Sequence, residues 1–324
     1  MKKGPKIFCG SSGRSFAEKI CSYLCYTLGN SDVFTFSEGN TFVRIGEPVR
    51  GEDVFLVQPI GLRPNDELVE ILFWMDAFKR ASAGSVTAII PYFGYAKGDK
   101  KDEPRVSIRA RVCAECIELA GADRIVTMDL HSPQVQGFFK KPVDHLLALP
   151  IICEYIKSLK LDEFVIVSPD AGFAKQARAY SSYLGVSTVI GDKTRSDHSE
   201  NAKIVEVIGD VKGKSAVIID DFTISGGTLI DLASELKKRG AGRIIACVSH
   251  LLLNENGVKK LEESAIEKLA GTDTICNPAV TKSAKISLIS AAPIFAEAII
   301  RIYNQESISP LFEKLSEKLI KATI

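Results

Sequence analysis

The chain has 324 residues, a formal net charge of +1, 46% hydrophobic residues and 25% charged residues. That length suits two domains and a core large enough to fold without disulfides, and the balanced charge argues against the basic footprint of a nucleic-acid binder. The composition excludes disorder, collagen and small secreted scaffolds, and no segment approaches the ~18 uninterrupted apolar residues of a membrane span.

Short apolar runs alternate with helical patterns along the chain. Ile7–Cys9 reads as a strand. Ser15-Phe-Ala-Glu18 has the form of a capping box, and Phe16, Ile20, Leu24 and Leu28 follow on one face, so a helix is expected up to Gly29. Asp53–Gln58 is a strand, and Leu68, Ile71, Leu72, Met75 and Phe78 form the buried stripe of the next helix. Val86–Ile90 and Arg124–Met128 are strands, the second running into Asp129-Leu-His131. The second half repeats the grammar. Phe164–Val167 leads to Ser-Pro-Asp170, Ala216–Ile219 leads to Asp220-Asp221, Gly227–Arg239 reads as a helix closed by Gly240, and Arg243–Val248 is the next strand. The fold class is therefore α/β, with parallel sheets covered on both faces. In such folds ligands bind beyond the carboxyl ends of the strands, where residues 129–131, 168–172 and 220–228 lie. A domain boundary is expected near residues 145–150.

The eight cysteines are widely spread, and the single CxxC, Cys113 to Cys116, sits inside an expected helix without a second pair for zinc. They read as buried or half-buried thiols in a reducing cytoplasm. The N-terminus is basic but has no long apolar core, so no signal peptide is expected.

The sharpest chemical signal is Asp220-Asp221-Phe-Thr-Ile224-Ser225-Gly226-Gly227-Thr228. A buried strand delivers two carboxylates, and a Ser-Gly-Gly-Thr turn opens a helix. Glycines let the backbone approach an anion, and free N–H groups with the hydroxyls of Ser225 and Thr228 supply donors. Phosphate donors beside acceptors for ribose hydroxyls make a sugar-phosphate cradle. Lys193 and Arg195 stand two apart in a loop or hairpin with Asp192 and Asp197. Phe93 to Arg111 is rich in Lys and Arg, with Gly94 and Gly98 expected to make it mobile, as a lid over an anionic substrate. Two other nucleotide motifs are rejected. Gly209-Asp-Val-Lys-Gly213-Lys214-Ser215 has one residue too few for a phosphate-binding loop and precedes a strand, and Gly10-Ser-Ser-Gly13 is no dinucleotide fingerprint.

The 220–228 segment resembles the phosphoribosyl-pyrophosphate loop of the phosphoribosyltransferase superfamily. Tyr92-Phe-Gly-Tyr-Ala-Lys97, Asp129-Leu-His-Ser-Pro-Gln-Val-Gln-Gly-Phe-Phe139, Val167-Ser-Pro-Asp170, Asp192-Lys-Thr-Arg195 and Asn304-Gln-Glu-Ser-Ile-Ser309 accompany it in order. Together they resemble the ribose-phosphate pyrophosphokinase family from about residue 6 to about residue 313. The resemblance implies two tandem phosphoribosyltransferase-type domains, 1–148 and 149–304, with residues 305–324 packing back on the first. It implies transfer of the pyrophosphoryl group of ATP to the 1-hydroxyl of ribose 5-phosphate, with Mg2+ as cofactor.

The resemblance also implies roles for particular residues. Lys193 and Arg195 correspond to the catalytic cations, with Arg195 near the sugar. Asp220, Asp221, Ile224, Ser225, Gly226, Gly227 and Thr228 correspond to the ribose 5-phosphate loop, with Ile224 standing where the family has Asp. Phe36, Glu38, Gly39 and Asn40 match a turn that reaches the adenine of a neighbouring subunit, with the acidic and amide residues in swapped order. Lys97, Gly98, Lys100, Lys101 and His131 fall on the ATP side, Lys97 and Gly98 replacing a common Arg-Gln. His131 and Asp170 belong to the magnesium–ATP site. A homo-oligomer, a hexamer, is implied in the cytoplasm, with phosphate and ADP as effectors near Arg50, Ser82, Ser307, Ser309 and Phe312. There Pro48 replaces a common Ser or Asn. Two other functions stay open: a non-catalytic associated subunit, and a transferase that consumes phosphoribosyl pyrophosphate. Lys193, Arg195, His131 and Asp170 weigh against the first, and the paired domains against the second.

Overall fold

The computed structural model describes residues 4–194, 203–312 and 315–323. Two compact units emerge. The first holds residues 1–147, 274–276 and 291–323, and the second residues 148–273 and 277–290.

The first unit opens with β1 (Lys6–Cys9) and α1 (Arg14–Leu24), followed by β2 (Ser31–Thr35) and β3 (Thr41–Ile45). Then come β4 (Asp53–Val57), α2 (Pro64–Arg80), β5 (Ser85–Ile90), α3 (Arg109–Ala120), β6 (Arg124–Met128) and β7 (Val143–Leu146). The sheet runs β1-β4-β5-β6-β7 with every pair parallel, and β2 and β3 form a separate antiparallel hairpin. Strands such as Val54–Val57 are buried on both faces, which is why they read as unbroken apolar runs. Trp74, Met75 and Phe78 of α2 complete this core, with Trp74 stacked on Phe78 at 5.5 Å.

In the second unit the order is α4 (Leu149–Ser158), β8 (Phe164–Ser168), α5 (Ala174–Leu184), β9 (Thr188–Thr194), β10 (Lys203–Ile208), β11 (Ser215–Thr223) and α6 (Gly227–Lys238). It ends with β12 (Ile244–Leu251), α7 (Glu255–Glu263), β13 (Lys268–Thr272) and β14 (Ile286–Ile289). The sheet runs β10-β9-β8-β11-β12-β13-β14, parallel except for the β9–β10 pair. The chain leaves β8 toward β9 on one side and returns to β11 on the other, so a topological switch point lies between β8 and β11.

Several sequence expectations are corrected. The first helix begins at Arg14 with Gly13 as its N-cap and no side-chain cap, so Ser15 and Glu18 lie inside it and no capping box forms. A Cβ on Gly13 would meet the Val57 carbonyl at 2.0 Å, so the tight approach of β4 decides where the turn falls. The helix ends at Cys25, in the left-handed region with φ 57°, and the Gly29 N–H donates to Ile7 instead. β11 continues through the acidic pair to Thr223. The expected second domain of 149–304 is shorter, because α8 (Ala292–Tyr303) belongs to the first unit with α9 (Glu317–Thr323). There α8 packs on α1, with the Phe16 and Phe295 rings 5.3 Å apart and the Tyr23 hydroxyl donating to Glu297. Cys25 and Cys276 are exposed, against the expectation that every thiol is at least half-buried, because both lie on connecting segments. Among the described residues no helix is long and apolar enough to cross a membrane.

Candidate active site

The carboxyl edges of β9, β8 and β11 bring together the second unit's polar segments. Asp170 lies two residues beyond β8. It is half-buried, its Oδ1 accepts the Phe173 N–H at 3.0 Å, and the Ser168 hydroxyl donates to its carbonyl at 2.7 Å. On the neighbouring strand β9, the Lys193 backbone pairs with Ile204 in the β9–β10 hairpin. Of the expected loop or hairpin, the two strands are antiparallel partners with Lys193 on β9, while Arg195 and Asp197 lie outside the described residues.

On β11, Asp220 Oδ1 accepts the Asp221 N–H at 3.0 Å and Asp221 Oδ1 accepts the Phe222 N–H at 2.9 Å. Consecutive strand residues point to opposite faces. Asp220 shares its face with Ala216 and Ile218, which pack with Leu229 and Leu232 of α6. Asp221 emerges on the other face and is buried. The two carboxylates are therefore inequivalent, and Asp220 is the one on the side that α6 covers. The turn after Thr223 leaves Ile224 exposed and places Gly226 in the left-handed region, φ 75°, as the N-cap of α6. Only glycine adopts that conformation cheaply. The Gly226 N-cap brings no side chain, and the Gly227 N–H reaches the Ser225 hydroxyl at a long 3.5 Å, so the positive dipole end of α6 addresses whatever enters the turn.

The brace behind this turn was not legible in the sequence. The Leu252 N–H donates to the Thr223 carbonyl at 3.1 Å and the Asn254 N–H to the Ile224 carbonyl at 2.9 Å. Asn254 also caps α7 by accepting the Gly257 N–H at 2.7 Å. Asn254, a good N-cap residue directly ahead of Val258 and Leu261 at helical spacing, was the available signal.

In the first unit, the tip of the β2–β3 hairpin carries Phe36, Glu38, Gly39 and Asn40. Phe36 is 44% exposed and touches the rings of Phe34 and Phe42 at 5.0 and 5.9 Å, so it belongs to a surface aromatic cluster and not to the core. Asn40 Nδ2 donates to Glu38 at 3.4 Å, and Gly39 turns the chain at φ 95°. Lys97, Lys100 and Lys101 are exposed. Gly98 is buried, and a Cβ there would meet Arg109 at 2.8 Å; one on Gly94 would meet the Ile60 carbonyl at 2.6 Å. Both glycines are packing positions, which corrects the expectation that they confer mobility.

His131 is exposed and follows Asp129, whose φ is 37°. That strained backbone is held by His145, whose Nε2 accepts the Leu130 N–H at 2.8 Å. Burial pulls the His145 pKa down from 6.5 to about 4, so the ring stays neutral as this bond requires. Sequence reading missed His145. Of the expected effector residues, Ser307 donates to Ser309 at 3.0 Å, and Ser82, with φ 62°, accepts the Gly51 N–H.

Among the described residues no group of three His, Cys, Asp or Glu side chains could hold a metal by itself. The donors at the β8 and β11 edges are hard carboxylate oxygens. That set fits Mg2+, which keeps waters and binds through one or two carboxylates plus substrate phosphates.

Comparison with known proteins agrees with this arrangement. The profile of the N-terminal domain of ribose phosphate pyrophosphokinase matches residues 5–121, and that of the phosphoribosyl synthetase-associated domain matches residues 195–313. The chain is 46% identical over 308 residues to a ribose-phosphate pyrophosphokinase of Caldanaerobacter subterraneus, covering 95% of this chain and 97% of that one. It is 42% identical over 310 residues to that of Wolinella succinogenes, covering 96% and 99%. The crystal structure of phosphoribosylpyrophosphate synthetase from Mycobacterium smegmatis superposes with a TM-score of 0.88 at 34% identity, covering 94% of this chain and all of that one. With two mostly parallel sheets flanked by helices, a glycine-rich turn beside the switch point of the second, and relatives matched over nearly their whole length, the chain belongs to the ribose-phosphate pyrophosphokinase family.

Proposed function

We propose that this chain converts ATP and ribose 5-phosphate to AMP and phosphoribosyl pyrophosphate, with residues 220–228 holding the sugar phosphate. The full-length likeness to ribose-phosphate pyrophosphokinases carries this reading, and the positive dipole end of α6, opened by the Gly226 N-cap, supports it chemically. The phosphate of ribose 5-phosphate sits on the backbone of Ser225, Gly226, Gly227 and Thr228, and Asp220 accepts ribose hydroxyl protons. Asp221, buried on the opposite face, steadies the strand end and takes a secondary part. Ile224 adds no charge, which removes a repulsion toward substrate anions.

The sugar 1-hydroxyl oxygen bonds to the β-phosphorus of ATP. The bond from that phosphorus to the α–β bridging oxygen breaks, the hydroxyl proton is released and AMP leaves. Such transfers depend mainly on positioning and on charge stabilisation. Lys193 and Arg195 supply cations to the departing bridging oxygen. Phe36 stacks on adenine, Glu38, Gly39 and Asn40 flank it, and Lys97, Gly98, Lys100, Lys101 and His131 receive the rest of ATP. Asp170 would hold Mg2+ as an oxygen ligand and His131 would make a weaker contact, and the ion when bound would supply neutralisation of phosphate charge. We place the enzyme in the cytoplasm as a homohexamer whose neighbours complete the adenine site.

The test is direct. Purified protein is incubated with ATP, ribose 5-phosphate and Mg2+, and AMP and phosphoribosyl pyrophosphate are quantified. Equimolar formation of the two is expected. Absence of both across a range of Mg2+ and phosphate concentrations would leave a nucleotide-binding associated subunit instead.

A further inference from the structure

We infer that Asn277 is a positioning residue for the ribose 5-phosphate cradle and acts through the backbone of residues 251–254. The inference rests on the assignment of residues 220–228 to ribose 5-phosphate. Gly226 and Gly227 bring no side chains to hold the turn, and the Ser225 hydroxyl accepts the Gly227 N–H at a long 3.5 Å. The support comes from behind, through the bonds from Leu252 to Thr223 and from Asn254 to Ile224. The two segments are in close contact. A Cβ on Gly257 would meet the Ser225 carbonyl oxygen at 2.9 Å, and one on Gly226 would meet Leu253 at 3.3 Å.

Asn277 sets where this supporting backbone runs. It is buried, and its Nδ2 donates to the Leu251 carbonyl at 3.1 Å and to the Leu253 carbonyl at 2.9 Å. Its Oδ1 accepts the Ala279 N–H at 3.0 Å. The two acceptors straddle Leu252, the residue that reaches Thr223. A carboxamide supplies two donor hydrogens and an acceptor in one plane, so one side chain fixes the peptides on both sides of the contact. An aliphatic side chain would leave two buried carbonyls without these donors. The backbone would then rotate to recover partners, and Leu252 and Asn254 would swing away from the cradle. The consequence falls on sugar-phosphate binding, because the displaced bonds end on Thr223 and Ile224.

The test combines steady-state kinetics with amide hydrogen exchange on the full chain. Asn277→Ala should raise the KM for ribose 5-phosphate about tenfold, in line with losing hydrogen bonds that orient the site. The KM for ATP should stay within about twofold, and peptides containing Leu252 and Asn254 should exchange faster while those from β8 do not. Asn277→Gln, which keeps the donors and acceptor on a longer arm, should recover part of the loss. If Asn277→Ala does not fold, Asn277→Gln carries the same comparison, with a smaller rise confined to ribose 5-phosphate. An unchanged KM for ribose 5-phosphate, or equal rises for both substrates, would overturn the inference. Asp220→Asn identifies the cause. If it too leaves the ribose 5-phosphate KM unmoved, the cradle assignment is wrong and the inference falls with it. If it raises that KM while Asn277→Ala does not, only the brace is wrong.

Discussion

His145→Gln should remove a defined part of the protein's acid sensitivity. In the native chain the partly buried imidazole accepts the Leu130 N–H, and burial holds its pKa near about 4 against an ordinary 6.5. The unfolded chain therefore takes up a proton that the folded chain refuses. Stability from this group is complete above about pH 6.5, is lost as pH falls toward about 4, and falls no further below that. At pH 5 about one and a half of the available pH units have acted, which is roughly 2 kcal/mol at ~1.4 kcal/mol per unit. Partial solvent contact trims this to about 1–2 kcal/mol. For a unit of this size that corresponds to roughly 2–8 °C in melting temperature. Glutamine places a carboxamide oxygen near the position of Nε2 and does not titrate, so it keeps the acceptor. Thermal scans at pH 7 and pH 5 should show the variant losing fewer degrees than wild type by that margin. Equal losses would refute the reasoning and place the acid sensitivity elsewhere.

Three further outcomes are expected. Lys193→Ala should lower turnover by about 10³-fold while nucleotide affinity changes little, as for cationic fingers in phosphoryl transfer; retention of a tenth of wild-type turnover in a quench-flow or coupled assay would contradict the role. Gly226→Ala forces a side chain into φ 75° with its Cβ 3.3 Å from Ile230 and Leu253, and should weaken ribose 5-phosphate at least tenfold by calorimetry with ATP binding retained. Because Pro48 offers neither an N–H nor a side-chain donor, activity should depend little on phosphate and be poorly inhibited by ADP at saturating ATP. A phosphate titration in a non-phosphate buffer checks this, and a steep phosphate requirement would show the effector site intact.

Much of the fold around the candidate site was legible from local chemistry. Strand and helix alternation follows from apolar periodicity, and the strand–turn–helix junction from Asp220 to Thr228 follows from its paired glycines after an apolar run. The determinants that escaped reading are polar residues whose meaning lies in a distant partner. His145 acquires its role from the Leu130 N–H, and Asn277 from carbonyls at Leu251 and Leu253. In sequence each is an unremarkable polar residue at the edge of an apolar run.

The sequence by itself determined the α/β class, the chain order of most elements, and the glycine-rich turn that opens α6, all of which arise from neighbours a few residues apart. Tertiary structure alone decided that α8 joins the first unit, where Phe16 meets Phe295 and Tyr23 meets Glu297. It also decided that Asp220 and Asp221 are inequivalent, because β11 continues through them beside β12, and that Gly94 and Gly98 are packing positions. The physical reason is common to all three. Local propensity fixes dihedral angles and periodicity, whereas burial, facing and close backbone approach depend on residues brought near only when the sheets assemble.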